Sequence, residues 1–201
     1  MTDETPAEGE PEPRSEPRSD ATSEAPSEGS ALQPASEGPK QGFELYLLRH
    51  ADAGDPAEWA GDDADRPLSK KGRRQARQLG AYLKDLKIKP GAIITSPKVR
   101  SADTAKLVGK RLGAKVTSDK RLASAFESAQ LEDILAGLDP SVSCAVLVGH
   151  DPDFSSLLSW LVGAPLALRK GAIARADLAD RTVGPGRGSL RWLLPPDAIP
   201  G

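Results

Sequence analysis

The sequence predicts an α/β domain, a three-layer α/β/α sandwich with a mostly parallel central sheet. Two observations carry that expectation. Short apolar runs, at 45–48, 92–95 and 144–148, alternate with longer segments whose apolar residues recur at helical spacing. The only two histidines of the 201-residue chain, His50 and His150, each stand within two residues of the end of one of those runs. In open α/β sheets the ligand crevice lies beyond the carboxyl ends of the strands, so both imidazoles are placed where a site is expected.

Composition sets the boundary of the domain. Residues 1–42 hold seven prolines, a tandem Glu-Pro-Arg-Ser repeat and only Met1 and Leu32 among large apolar residues. Such a stretch buries too little surface to offset its ordering entropy, so it reads as a disordered acidic tail ahead of a single domain over 43–201. The tail carries ten acidic and three basic residues, which leaves the remainder of this −2 chain at +5, mildly suited to an anionic ligand. The tail lacks a basic start and an apolar stretch, and no run is long enough to span a membrane. One cysteine, Cys144, opens an apolar run and reads as a small buried hydrophobe. These features predict a cytoplasmic, monomeric protein with neither nucleic acid nor membrane as a partner.

Taken in order, Glu44 to Leu48 form the first strand, which ends on Arg49-His50. A polar loop over 51–67 follows. Ser69 caps a helix running to about Leu86, with Ala76, Leu79, Leu83 and Leu86 as its buried stripe. Pro90-Gly91 breaks the chain before the strand 92–95, which stops on Ser96-Pro97. A second helix from Val99 ends at Gly113, and 115–117 reads as a short edge strand. Leu131, Ile134, Leu135 and Leu138 mark a third helix. The strand 144–148 ends on Gly149-His150, after which Asp151 is expected to cap a helix with Pro152 at its first position and Phe154, Leu157, Leu158 and Leu161 inward. Two closing strands, 172–178 and 190–194, flank a glycine-rich turn.

Arg49 adjoins the first histidine, and Arg100 lies one helical turn past the second strand. Guanidinium groups match phosphate oxygens and stay charged at any working pH, so the set argues for an anion. Flanking arginines would repel a cation, and no His-x-x-x-His spacing exists, so neither a metal nor another cofactor is expected.

Leu48-Arg49-His50-Ala51 resembles the Arg-His-Gly signature of the histidine phosphatase superfamily, with Ala51 in place of glycine. Ser96-Pro97-x-x-Arg100 with Thr104 resembles its second block, and Val148-Gly149-His150-Asp151-Pro152 its third. Arg66-Pro67-Leu68-Ser69 and Gly171-Ala172-Ile173-Ala174 look like the small SixA-type branch, the phosphohistidine phosphatases. The resemblance covers about 43–195 and implies a phosphoglycerate mutase-like fold. It implies that His50 is the nucleophile and forms a phosphohistidine intermediate, that Arg49 and Arg100 hold the phosphoryl oxygens, and that a protonated His150 adds a donor. Arg66 would be a further phosphate or substrate contact. Ser96 and Thr104 read as a turn former and a helix residue at the pocket wall.

Ester hydrolysis wants a general acid, and in the wider superfamily a carboxylate after the second block supplies it. Glu127 is the candidate; its alternative is an ordinary loop carboxylate. Phosphohistidine has a better leaving group and needs the acid less. The interval between the second and third helices leaves little room for a cap over the site, which favours a phosphorylated protein over a small phosphorylated substrate. The expectation is therefore a phosphohistidine phosphatase, with a general small-molecule phosphomonoesterase and a non-catalytic phosphate-binding regulatory module as the alternatives.

Overall fold

The computed structural model describes residues 42–199; all of the expected tail except Gly42 lies outside them. Alternate residues of strand β1 (Phe43–Arg49) enter two different cores. Phe43, Leu45 and Leu47 pack on one face of the sheet, and Tyr46 and Leu48 on the other. The period-two geometry of a strand turns one apolar run into the middle layer of a sandwich. Each such fully buried side chain contributes about 1.5–3 kcal/mol.

The remaining elements are α1 (Lys70–Asp85), β2 (Ala92–Thr95), α2 (Val99–Leu112), β3 (Val116–Ser118), α3 (Ser128–Ala136), β4 (Cys144–Gly149), α4 (Asp153–Val162), β5 (Ile173–Leu178) and β6 (Gly188–Leu194). They form one six-stranded sheet in the order β3-β2-β4-β1-β5-β6. β3, β2, β4 and β1 are parallel, and β5 and β6 close the sheet antiparallel, so the expected sandwich is observed. Leu79 and Leu83 of α1 and Ala105 and Val108 of α2 cover the Tyr46 face. α3 and α4 cover the other through Leu131, Ile134, Phe154 and Leu158. Cys144 is buried as expected, and burial pushes its thiol up to about 12. No described helix is long and apolar enough to cross a membrane.

Three details differ from the sequence reading. Leu86 is not part of the buried stripe: α1 ends at Asp85, and Leu86, at the C-cap, is 47% exposed. α4 starts at Asp153 with Pro152 at the N-cap, one position before the place expected for it. Asp151 still serves that helix, because its Oδ1 accepts from the Ser155 amide at 3.2 Å and hydroxyl at 2.6 Å. The polar loop after β1 is also more ordered than its composition suggests. It contains two 3₁₀ turns, Pro56–Glu58 and Asp63–Asp65, capped by Asp55 and Asp62.

Two features bring the loop after β1 against the rest of the domain. Ser69 caps α1 by accepting from the Gly72 amide at 3.0 Å, while its hydroxyl donates to Asp52 at 2.5 Å. A Cβ at Gly72 would stand 1.9 Å from the Asp52 carbonyl oxygen, so only glycine permits this approach of helix to loop.

Candidate active site

The crevice is set by the order of the strands. β1 and β4 are parallel neighbours with Arg49 opposite Gly149, so the residues that follow, His50 and His150, leave the sheet side by side. The chain then departs to opposite faces, through α1 after β1 and through α4 after β4. This is the switch point at which open sheets leave room for a ligand. β2 lies on the other side of β4, and the Ser96 amide donates to Val148 O at 2.9 Å, which adds a third strand end to the floor. The two imidazole centroids are 5.2 Å apart.

These residues floor a depression of about 390 Å³. Arg49, His50, Arg66, Arg100 and His150 all line it, together with Lys98, Lys170 and Asp63. The structure therefore brings together five of the six residues singled out in the sequence. Glu127 is not among them. It is exposed, at the N-cap of α3, where its amide donates to Gln130 Oε1 at 2.6 Å. It faces a neighbouring depression with Phe126 and Trp160. The loop residues that do reach the site are Ala123, Ser124 and Ala125, so the carboxylate is carried past the rim as α3 begins.

The protonation of His50 follows from its contacts. Its Nδ1 lies 2.8 Å from the Ala51 carbonyl, which can only accept, so Nδ1 carries the proton. Nε2 then holds the lone pair, which accepts from Arg100 Nε at 3.2 Å. Burial pushes the imidazole down to about 4; the Ala51 bond opposes this, and the charges of Arg100, Arg49 and Arg66 reinforce it. His50 is neutral at any physiological pH. The backbone beside it is fixed as well: the Ala51 amide donates to Thr104 Oγ1 at 3.1 Å, and that hydroxyl donates to Arg100 O at 2.7 Å. Ala51 is itself buried, with its methyl group accommodated where the family pattern has glycine.

His150 is held the other way round. Its Nε2 meets Ser96 Oγ at 2.8 Å, and its Nδ1 is buried without a partner. Ser96 is thus more than a turn former: it fixes this ring. Burial, followed by the coupling to the neighbouring His50 ring and the charges of Arg100 and Lys98, pushes His150 down to about 3, with Asp63 opposing. In the free protein burial above all, and then the neighbouring cations, disfavour a protonated His150; the protonated donor belongs to the site with an anion bound.

The arginines also differ. Arg49 Nη1 donates to Leu168 O at 2.7 Å and lies 3.5 Å from Asp151, while its buried Nε has no partner. Among the described residues, the two buried side-chain nitrogens or oxygens left unpaired are Arg49 Nε and His150 Nδ1, and both residues line this depression. Arg66, read as a loop residue, is 6% exposed and donates to Ala53 O at 2.8 Å and Gly54 O at 3.3 Å. Asp63, which the sequence did not bring to notice, pairs with both Arg66 Nε at 3.0 Å and Arg100 Nη2 at 2.9 Å. Partial burial pushes the Asp63 carboxyl up, but the bonds and charges of the two arginines outweigh it and hold the group below the usual carboxylate range.

Residues 45–127 match the family model of the histidine phosphatase superfamily, branch 1. An uncharacterised protein of Picosynechococcus sp. is 38% identical over 170 residues, which span 76% of this chain and 100% of the relative. The phosphohistidine phosphatase SixA of Escherichia coli is 25% identical over 159 residues, spanning 77% of this chain and 94% of that one. Among solved structures, the protein histidine phosphatase SixA complexed with tungstate superposes with a TM-score of 0.69 at 24% identity, over 79% of this chain and 100% of that chain.

Proposed function

This chain belongs to the histidine phosphatase superfamily and has the SixA-type fold, and from that premise we propose that it removes the phosphoryl group from phosphohistidine on a protein. The observation that carries the catalytic reading is the state of His50. It is neutral, its proton is committed to Ala51 O, and its Nε2 lone pair, which accepts from Arg100 Nε in the free protein, lies in a depression lined by three arginines. A nucleophile for phosphorus needs just such a lone pair, held in place before the substrate arrives.

In the reaction, Arg100 Nε gives up its bond to His50 and turns to a phosphoryl oxygen, and His50 Nε2 attacks phosphorus. A bond from Nε2 to phosphorus forms, and the bond from phosphorus to the substrate imidazole nitrogen breaks, the electron pair leaving with that nitrogen, which takes up a proton from solvent at the open site. Water then attacks the phosphorylated His50, releasing phosphate and restoring the lone pair. Arg49, Arg100 and Arg66 stabilise the charge on the equatorial oxygens, and Arg49 Nε and His150 Nδ1 are donor positions with no protein partner to give up. A dianionic phosphoryl group also lifts the pKa of His150, so it becomes a donor at Nδ1 once the ligand is bound.

The carboxylates of the site favour a phosphohistidine over an ester. Glu127 lies outside the depression, Asp151 is bonded to Ser155 and Arg49, Asp153 accepts from the Phe126 amide at 3.1 Å, and Asp63 is held ionised. The two carboxylates nearest the arginines, Asp63 and Asp151, are thus engaged with them, and a departing imidazole needs less help from an acid than an alkoxide does. The interval between α2 and α3 is occupied by β3 and the 3₁₀ turn Lys120–Ala123, which leaves the site uncapped on that side.

The test is a pair of assays on the full chain and His50→Ala, one with a phosphohistidine-bearing carrier protein and one with p-nitrophenyl phosphate. The reading requires dephosphorylation of the carrier that is much faster than ester hydrolysis and is lost in the variant. Fast ester hydrolysis with an inert carrier would establish a small-molecule phosphatase instead.

A further inference from the structure

The cationic donors of this site fall into two groups. Arg49 Nε points to no partner, whereas every nitrogen of the Arg100 guanidinium is engaged within the protein. Nε donates to His50, Nη1 to the Asp63 carbonyl and Nη2 to the Asp63 carboxylate. Arg66 Nε donates to the other carboxylate oxygen at 3.0 Å. One carboxylate therefore spans two arginines, in the bidentate manner in which a phosphoryl group would span them.

The exposures of the three side chains are unequal. Arg66 and Arg100 are 7% and 5% exposed, while Asp63 is 51% exposed. The arginines belong to the floor, Arg66 being further tied to two backbone carbonyls, while the carboxylate comes from the solvent side, on the 3₁₀ turn Asp63–Asp65. Withdrawing Asp63 would expose two oriented guanidinium groups without disturbing the strands or α2.

We infer that Asp63 is a resident anion of the phosphate site: its carboxylate holds Arg66 and Arg100 in place while the site is free, and the incoming phosphoryl group displaces it from both. The inference rests on the phosphatase reading and adds to it a residue that sets phosphate affinity. A singly charged carboxylate loses the competition to a dianion when substrate enters, then recaptures the arginines as phosphate leaves. Asp63 thereby weakens retention of product and keeps the empty site from carrying unpaired, buried cations. It is a positioning residue, acting through the two arginines.

The experiment measures binding of inorganic phosphate by calorimetry at pH 7.5 to the full chain, Asp63→Asn and Asp63→Glu. Asp63→Asn keeps the shape and removes the charge, so it is expected to bind phosphate about fivefold more tightly or better. Asp63→Glu keeps the charge and is expected to stay within about twofold of the unsubstituted protein. Equal or weaker binding by Asp63→Asn overturns the inference while leaving the phosphatase reading in place. Equal tightening in both variants also overturns it, because charge would not be the cause. Absence of phosphate binding in all three proteins overturns the inference together with the phosphatase reading. A measurement without substitution covers the case of a variant that does not fold: arginine side-chain NMR of the unsubstituted protein should show phosphate shifting the Nε–H resonance of Arg66 and the Nη–H resonances of Arg100, the groups that hold the Asp63 carboxylate. Unmoved resonances at saturating phosphate would overturn the exchange.

Discussion

His50 and His150 occupy matching places, each just beyond a parallel strand, yet the chain around them makes them chemically different. His50 gives its Nδ1 proton to its own neighbour's carbonyl and turns Nε2 to the site. His150 fixes Nε2 on Ser96 and leaves Nδ1 without a partner. The backbone carbonyl, an obligate acceptor, dictates the tautomer of the first ring, whereas the serine hydroxyl, which can donate or accept, leaves the second free to gain a proton when an anion binds. One strand end thus supplies a nucleophile and its neighbour a donor, from the same side chain.

Substitution should separate the two. His50→Ala removes the attacking atom, and we expect turnover on a phosphohistidine carrier to fall by about 10⁴-fold or more. His150→Ala removes one donor to the phosphoryl oxygens and should cost about 10²-fold in kcat. Ser96→Ala frees the ring without removing it and should cost less than His150→Ala, which steady-state kinetics on the three variants would rank. Equal losses for His50→Ala and His150→Ala would erase the distinction.

Acidity sharpens it further. His50 must be neutral to attack, so kcat/KM should decline as pH falls through about 4, and no decline should centre on the ordinary histidine value of 6.5. The same depression governs stability. Between about 6.5 and about 4 an unfolded chain binds protons that the folded His50 refuses, so folding free energy is lost as pH falls through that window and recovered as it rises. His150, held down to about 3, extends the window. Denaturant midpoints measured from pH 7 to pH 4 should fall for the unsubstituted protein and fall less for His50→Ala. The smallest expected effect is that of Glu127→Gln, which should leave turnover within about twofold because the carboxylate lies outside the depression.

The contrast also explains what was readable in the sequence. The strand ends were legible because a buried run that stops on Arg49-His50 or Gly149-His150 has few structural uses, and strand direction fixes where such residues emerge. Arg100 was legible through its spacing from Ser96. The loop after β1 was less so: its Asp and Gly content marks turns, and nothing local distinguishes Asp63, which bridges two arginines, from Asp55 or Asp62, which cap 3₁₀ turns. Arg66 became a candidate only through the family resemblance, since its burial depends on carbonyls 12 and 13 residues away in the chain. Glu127 misled because the segment carrying it does reach the site, through Ala123 to Ala125, and the register of the turn into α3 is a matter of backbone geometry. The lowered pKa of His150 in the free protein is likewise beyond the sequence, because its burial, and then the cations packed around it, are properties of the assembled site.

The most direct test of the account is to capture the intermediate. The protein would be mixed with a phosphodonor, quenched in alkali within the first turnover, and examined by mass spectrometry and phosphorus NMR. The account predicts phosphate on His50, attached through Nε2, and none in His50→Ala. Phosphate on His150, or turnover with no phosphoenzyme at any time point, would contradict it.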